Sequence, residues 1–251
     1  MGQHPGTGQS SILSTCYVLE VILERDKTWY RLNMLVCLSI ALLQQVQKPK
    51  PAELPFAAEI AQFEAMDKKN PPARGQILFT GSSSFTKWTD VQDYFPGTKI
   101  LNRAFGGSSL PDMIRYVDKA IVPYRPKQIV IYCGENDFAG DAKLPAYKVE
   151  QRFETLFKLI RAELPTVPIV YVSMKPSPSR WYMRAKFVAG NRWIEEFCQH
   201  QPNCKFVSVW DQMLDEKGRP KAEIFLSDRL HMNAKGYHIW QPIIAPYLLK
   251  G

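Results

Sequence analysis

From residue 76 onward, short runs of β-branched and aromatic residues alternate with stretches in which apolar positions recur every three or four residues. The runs at 76–80, 99–102, 128–133, 168–173 and 205–209 are largely apolar, the pattern of strands buried on both faces. Between them, Val149, Phe153, Leu156, Phe157, Ile160 and Leu164 share one helical face after Pro145, and Met183, Phe187, Gly190, Ile194 and Phe197 share another. Buried strands separated by helices predict an α/β protein with a parallel sheet covered on both sides, a three-layer α/β/α sandwich.

The first fifty residues lack this alternation. A start rich in Gly, Ser and Gln leads to apolar stretches at 12–23 and 35–43, separated by Glu24-Arg25-Asp26-Lys27. Neither reaches the roughly 20 apolar residues that span a bilayer, so no stable membrane span is expected. The segment 34–43 has the length of an export-signal core and follows Arg31. Residues 1–50 therefore read as an extension with a signal segment and a secreted or periplasmic destination; the other reading is an ordinary amphipathic extension of a cytoplasmic protein. Prolines at 49, 51 and 55 cannot continue a helix and mark a linker, which puts the main domain at 51–251.

Composition narrows the function classes. A 45% hydrophobic content over 251 residues is that of a globular chain. The net charge of +8 arises from Lys and Arg scattered among 24 acidic residues, with no basic stripe and no aromatic-basic module, so nucleic acid is not an expected partner. The five cysteines have no metal-ligand spacing and their number is odd, so neither a metal site nor a disulfide framework is expected. Cys133 falls inside a strand pattern as a small core residue, while Cys198 and Cys204 flank a helix-to-strand turn and their pairing stays open.

The chemistry sits at strand ends. In an open parallel sheet, ligands bind beyond the carboxyl ends of the strands, where helix N-termini and backbone N–H groups converge. Gly81-Ser82-Ser83-Ser84 follows the first run, Phe105-Gly106-Gly107 the second, and Gly134-Glu135-Asn136-Asp137 the third, while Asp228-Arg229-Leu230-His231 precedes the last helical pattern. Taken singly, each is an ordinary turn or cap. Together they supply a serine, an Asp/His pair three residues apart, and donors for a developing oxyanion, which are the parts of a serine hydrolase. A second segment, Met174-Lys175-Pro176-Ser177-Pro178-Ser179-Arg180-Trp181, follows the fourth run and borders the same edge. Lys175, Arg180 and Trp181, with Arg103, are candidates for contacting an anionic or sugar-bearing substrate; the alternative is a Pro-stiffened loop with a packed Trp.

Over residues 75–250 the chain resembles the SGNH hydrolases, the GDSL-type esterases and lipases, most nearly the bacterial branch related to lysophospholipases and platelet-activating-factor acetylhydrolases. The motifs above carry the resemblance. Ser83 matches the family nucleophile, with Ser82 in place of the usual aspartate. Gly107, or Gly106 in the other register, matches the oxyanion glycine and Asn136 the second donor, and Asp228 and His231 match the remaining triad members. The resemblance implies a flavodoxin-like fold with five parallel strands in the order 2-1-3-4-5. It also implies a cofactor-independent esterase acting on a small-molecule ester through Ser83, His231 and Asp228, with the Ser83 N–H, Gly107 and Asn136 as oxyanion hole. Acetylated carbohydrate, lysophospholipid and short acyl esters all fit that machinery. The rivals are a flavodoxin-like phosphate or flavin binder, in which Asp228 and His231 have no role, and a non-catalytic relative that kept the pocket.

Overall fold

The five apolar runs become five strands in the computed structural model of the protein, which describes residues 54–250. After α1 (Ala57–Lys69), β1 (Ile77–Gly81) leads into the short helices α2 (Ser83–Thr86) and α3 (Val91–Tyr94). β2 (Ile100–Asn102) is followed by α4 (Leu110–Arg115) and α5 (Val117–Ala120), and β3 (Gln128–Tyr132) by α6 (Glu135–Gly140) and α7 (Ala146–Glu163). β4 (Ile169–Val172) runs into a 3₁₀ segment, Pro178–Met183, and then α8 (Arg184–Gln199); β5 (Cys204–Val207) precedes α9 (Ala234–Ile244). All strand pairs are parallel and the order is β2-β1-β3-β4-β5. Fold class and strand order are those expected from sequence. The reading of residues 1–50 lies outside the described residues.

Alternate residues of each strand feed two separate cores, as the two-residue period of a pleated strand demands. Leu78, Ile129, Ile131, Ile169 and Tyr171 pack with Leu110, Phe153, Leu156, Ile160, Phe187 and Ile194 from α4, α7 and α8. Ile77, Phe79, Val130, Tyr132, Val170 and Val172 turn the other way, onto Phe85, Val91, Tyr237 and Trp240 from α2, α3 and α9. Each such side chain contributes roughly 1.5–3 kcal/mol on burial. The second core is strongly aromatic: Trp88 stacks on Tyr237 with ring centroids 4.7 Å apart, and Trp240 meets Phe85 edge-on at 6.1 Å. These contacts fix α9, and the loop entering it, against α2.

The apolar pattern did not mark α1, because Ile60 is its one deeply buried residue. Cys198 and Cys204 meet as buried thiols with Sγ atoms 3.1 Å apart, and Cys133 is a core residue as expected. Among the described residues no helix is long and apolar enough to cross a membrane.

β1 extends one residue beyond the predicted run because Gly81 still pairs with Tyr132. Gly81 adopts φ 125°, and a Cβ built there would lie 2.0 Å from the Tyr132 carbonyl oxygen. Only a residue without a side chain lets β1 close on β3 at this point. Gly81→Ala is therefore expected to lower unfolding stability by about 2–4 kcal/mol, read as a reduced urea midpoint; a midpoint equal to that of the parent would show that the strand ends tolerate separation.

Candidate active site

Ser83 is the first residue of α2, half-buried just beyond the end of β1. Position and orientation follow from the backbone around it: Ser82 N–H donates to Tyr132 O at 2.8 Å, and Phe105 N–H donates to Gly81 O at 2.9 Å. Asn102 adds a tie from β2, its Nδ2 donating to Phe85 O at 2.7 Å and its Oδ1 accepting from Ala104 N at 3.1 Å. The loop that carries Ser83 is thus clamped between both neighbouring strands.

The turn at 226–231 brings the histidine in. Leu226 N–H donates to His231 O at 2.8 Å, and Arg229 takes a left-handed φ of 57°, which reverses the chain tightly enough for Asp228 to fold back. Asp228 Oδ1 accepts the Leu230 and His231 backbone N–H groups, each at 2.9 Å, and Oδ2 lies 2.6 Å from His231 Nδ1. Desolvation pushes the Asp228 carboxyl up, but the bonds from the His231 ring and from the two backbone N–H groups outweigh it and hold the carboxyl well below the usual range. An ionised carboxylate only accepts, so Nδ1 carries the imidazole proton and Nε2 is left as an acceptor. That Nε2 lies 2.9 Å from Ser83 Oγ, and the serine hydroxyl donates to it. Tyr237 OH donates to Ser84 O at 2.9 Å and so ties α9 to α2 directly behind this contact.

Gly106 and Gly107 are exposed on the opposite side of Ser83. A Cβ on Gly106 would be 3.8 Å from the Ser83 Cβ, so the glycine loop lies against Ser83. Gly107 has φ 91°, a conformation that favours glycine, and Ser108, next along, is anchored by Oγ to Gly81 O at 3.1 Å. Among the described residues, the Ser83 and Gly107 N–H groups donate to no protein acceptor. Asn136, second residue of α6, completes the ring: its Nδ2 donates to Ser82 Oγ at 2.7 Å and to Ser108 O at 3.0 Å. The next residue, Asp137, is buried and accepts from Leu110 N–H at the α4 N-terminus at 3.0 Å and from Arg152 of α7 at 2.7 Å.

The four candidate substrate contacts separate into different environments. Arg103 does not face the site: its guanidinium pairs with Asp67 of α1, lies 3.1 Å from Tyr124 OH, and packs over Phe63. Lys175 is buried, 3.0 Å from Glu135 Oε1, and has no surface for a substrate to touch; burial pushes its ammonium down, partly offset by Glu135. Both were expected as contacts because a charged residue at a strand end ordinarily stays in water, and neither partner, Asp67 or Glu135, is signalled by local spacing. Arg180 reaches the site through Asn136 Oδ1 at 2.8 Å. Trp181 faces Trp210 at 6.1 Å and, with Arg184, Arg192 and Trp193, lines a groove of about 780 Å³. Glu135, Ser82 and Ser108 were not assigned roles from sequence, although each lies within or beside a recognised motif.

The GDSL-like Lipase/Acylhydrolase family model matches residues 73–239. The chain belongs to this family. It is an ester hydrolase, and ester hydrolysis on a small-molecule ester is the activity its family implies. Solved structures show the same fold. A Streptococcus pneumonia protein provisionally named a platelet activating factor superposes with a TM-score of 0.67 at 21% identity, covering 85% of this chain and 99% of that one. A GDSL-like lipase from Bacteroides thetaiotaomicron gives 0.64 at 17% identity over 76% and 97%. A mutant acetyl-xylooligosaccharide esterase from Geobacillus Stearmophilus gives 0.55 at 13% over 69% and 94%. Comparison with proteins of curated function found no match.

Because Arg103 joins α1 to the strand layer, Arg103→Gln is expected to lower unfolding stability by about 1–3 kcal/mol while leaving KM for any ester unchanged. Paired urea titrations and steady-state kinetics check this; a raised KM at unaltered stability would return Arg103 to the substrate.

Proposed function

We propose that this ester hydrolase works through a Ser83-His231-Asp228 triad and an acyl-enzyme intermediate. Ser83 Oγ attacks the ester carbonyl carbon while His231 Nε2 takes its proton; the ester C–O bond then breaks and the imidazolium returns the proton to the departing alcohol. Water repeats the sequence on the acyl-enzyme and releases the acid. Asp228 holds the imidazole in the required tautomer and stabilises the imidazolium. The oxyanion is met by the Ser83 and Gly107 N–H groups and by the Asn136 amide, which turns an N–H from the neutral Ser82 hydroxyl toward the developing charge. A charge-assisted bond is roughly twice as strong as a neutral one, so the exchange favours the transition state.

The observation that carries this reading is the unbroken chain from Asp228 Oδ2 to His231 Nδ1 at 2.6 Å and from His231 Nε2 to Ser83 Oγ at 2.9 Å. A phosphate- or flavin-binding reading gives neither Asp228 nor His231 any task. The substrates we infer are small carboxylic esters: acetylated carbohydrate, lysophospholipid or a short acyl ester. A p-nitrophenyl ester series run beside acetylated sugars and lysophospholipids orders these by kcat/KM.

Ser83→Ala and His231→Ala are each expected to cut p-nitrophenyl acetate turnover by at least about 10³-fold with the fold intact, and Asp228→Asn by about 10²–10⁴-fold. Full turnover in Ser83→Ala would remove the mechanism. Stability should follow the carboxylate as well. The Asp228 carboxyl is depressed in the folded state, so its contribution is present above the unfolded value of about 3.9 and is lost as pH falls toward the folded one. Wild type and Asp228→Asn should therefore differ in urea midpoint at neutral pH and converge in strong acid; a gap that widens on acidification would contradict that assignment.

We also read the 34–43 segment as an export signal for a hydrolase domain at 51–251. N-terminal sequencing of the protein from its native host is expected to find a chain that starts after this segment, and a chain starting at Met1 would end the export reading.

A further inference from the structure

Behind the oxyanion amide, charged side chains engage one another rather than solvent. Lys175 Nζ donates to Glu135 Oε1 at 3.0 Å and to Tyr132 OH at 3.2 Å, and Tyr132 OH donates to the same carboxylate oxygen. Glu135 Oε2 accepts from Arg180 Nη1 at 3.1 Å, and Arg180 Nη2 donates to Asn136 Oδ1 at 2.8 Å. Lys175 and Glu135 are buried, with side-chain exposures of 2% and 6%, so the cluster is a fixed part of the interior. Two cations to one anion leave it with an excess positive charge directly behind Asn136.

A carboxamide has two ends of nearly equal shape and opposite hydrogen-bonding sense. A guanidinium can only donate, so the end that faces Arg180 must be the oxygen, and Nδ2 is thereby turned toward Ser82 Oγ and Ser108 O. The bond to Oδ1 also draws electron density from the amide and makes its N–H groups stronger donors as negative charge develops on the substrate. The same 3₁₀ segment reaches the other half of the site, since Ser179 N–H donates to Arg229 O at 3.1 Å within the turn that carries Asp228 and His231.

We propose that Arg180, held by Glu135 and Lys175, is a positioning residue that sets the orientation and the donor strength of the Asn136 amide in the oxyanion hole. The proposal rests on the reading in which Asn136 meets the oxyanion. Arg180 touches Asn136 rather than the substrate, so its loss lowers kcat and leaves KM nearly unchanged.

The test is a double-mutant cycle on p-nitrophenyl acetate, with fluorophosphonate labelling of Ser83 as a second readout and thermal melts to verify folding. Arg180→Met is expected to lower kcat by about 10–100-fold with KM within about threefold of wild type, and to slow labelling in parallel. Arg180→Lys keeps the charge but not the two-pronged fork and should recover part of that loss. In the Asn136→Ala background, Arg180→Met should cost nothing further, because the group it acts through is gone. Should Arg180→Met not fold, Arg180→Lys carries the same cycle. Losses that multiply in the double variant, or a rise in KM alone, would overturn the relay while leaving Asn136 in place. Wild-type kcat in Asn136→Ala would overturn the oxyanion reading itself, and the relay with it.

Discussion

With no side chain at position 81, the end of β1 lies directly against the Tyr132 carbonyl at the end of β3, and the loops that follow the first three strands are placed relative to that junction. Ser82 N–H caps the same carbonyl, Gly81 O accepts from Phe105 N–H and Ser108 Oγ, and Ser83 starts its helix one residue later. The glycine loop after β2 and the Gly-Glu-Asn-Asp turn after β3 are consequently fastened to the same few atoms. Convergence is a property of the parallel ladder, since adjacent parallel strands end on one edge and deliver their loops to one place.

The histidine is the part that the ladder does not place. His231 comes from a loop 148 residues beyond Ser83, and the gap is closed from two sides. On one, the aromatic core around Trp88, Tyr237 and Trp240 fixes α9, which begins three residues after the histidine. On the other, the 3₁₀ segment after β4 holds the Asp228 turn through Ser179 and Arg229. Asp228 itself remains 45% exposed, so its hold on the imidazole depends on three short bonds rather than on burial. The left-handed Arg229 makes those bonds possible by bending the turn back on its own carboxylate.

Fold class was legible because uninterrupted apolar runs between amphipathic helices have few other solutions, and the resemblance to SGNH hydrolases supplied the strand order that periodicity alone does not encode. Ser83, Gly107, Asn136, Asp228 and His231 could be named because each lies in a short motif at a strand or helix end. What escaped was set by long-range pairing. Lys175 and Arg103 looked like solvated charges until Glu135, 40 residues away, and Asp67, 36 residues away, were in contact with them. Likewise α1 carries too thin an apolar stripe to stand out, and it is held to the domain partly by that Arg103 pair.

Ser82 and the cations behind Asn136 make one electrostatic unit under the proposed mechanism. An aspartate at position 82, the usual family residue, would accept the Asn136 N–H as a charged partner and compete with the oxyanion for it; a neutral hydroxyl gives it up at lower cost. The substitution at 82 and the relay from Lys175 to Asn136 therefore act in the same direction: both favour the state in which negative charge has moved onto the substrate.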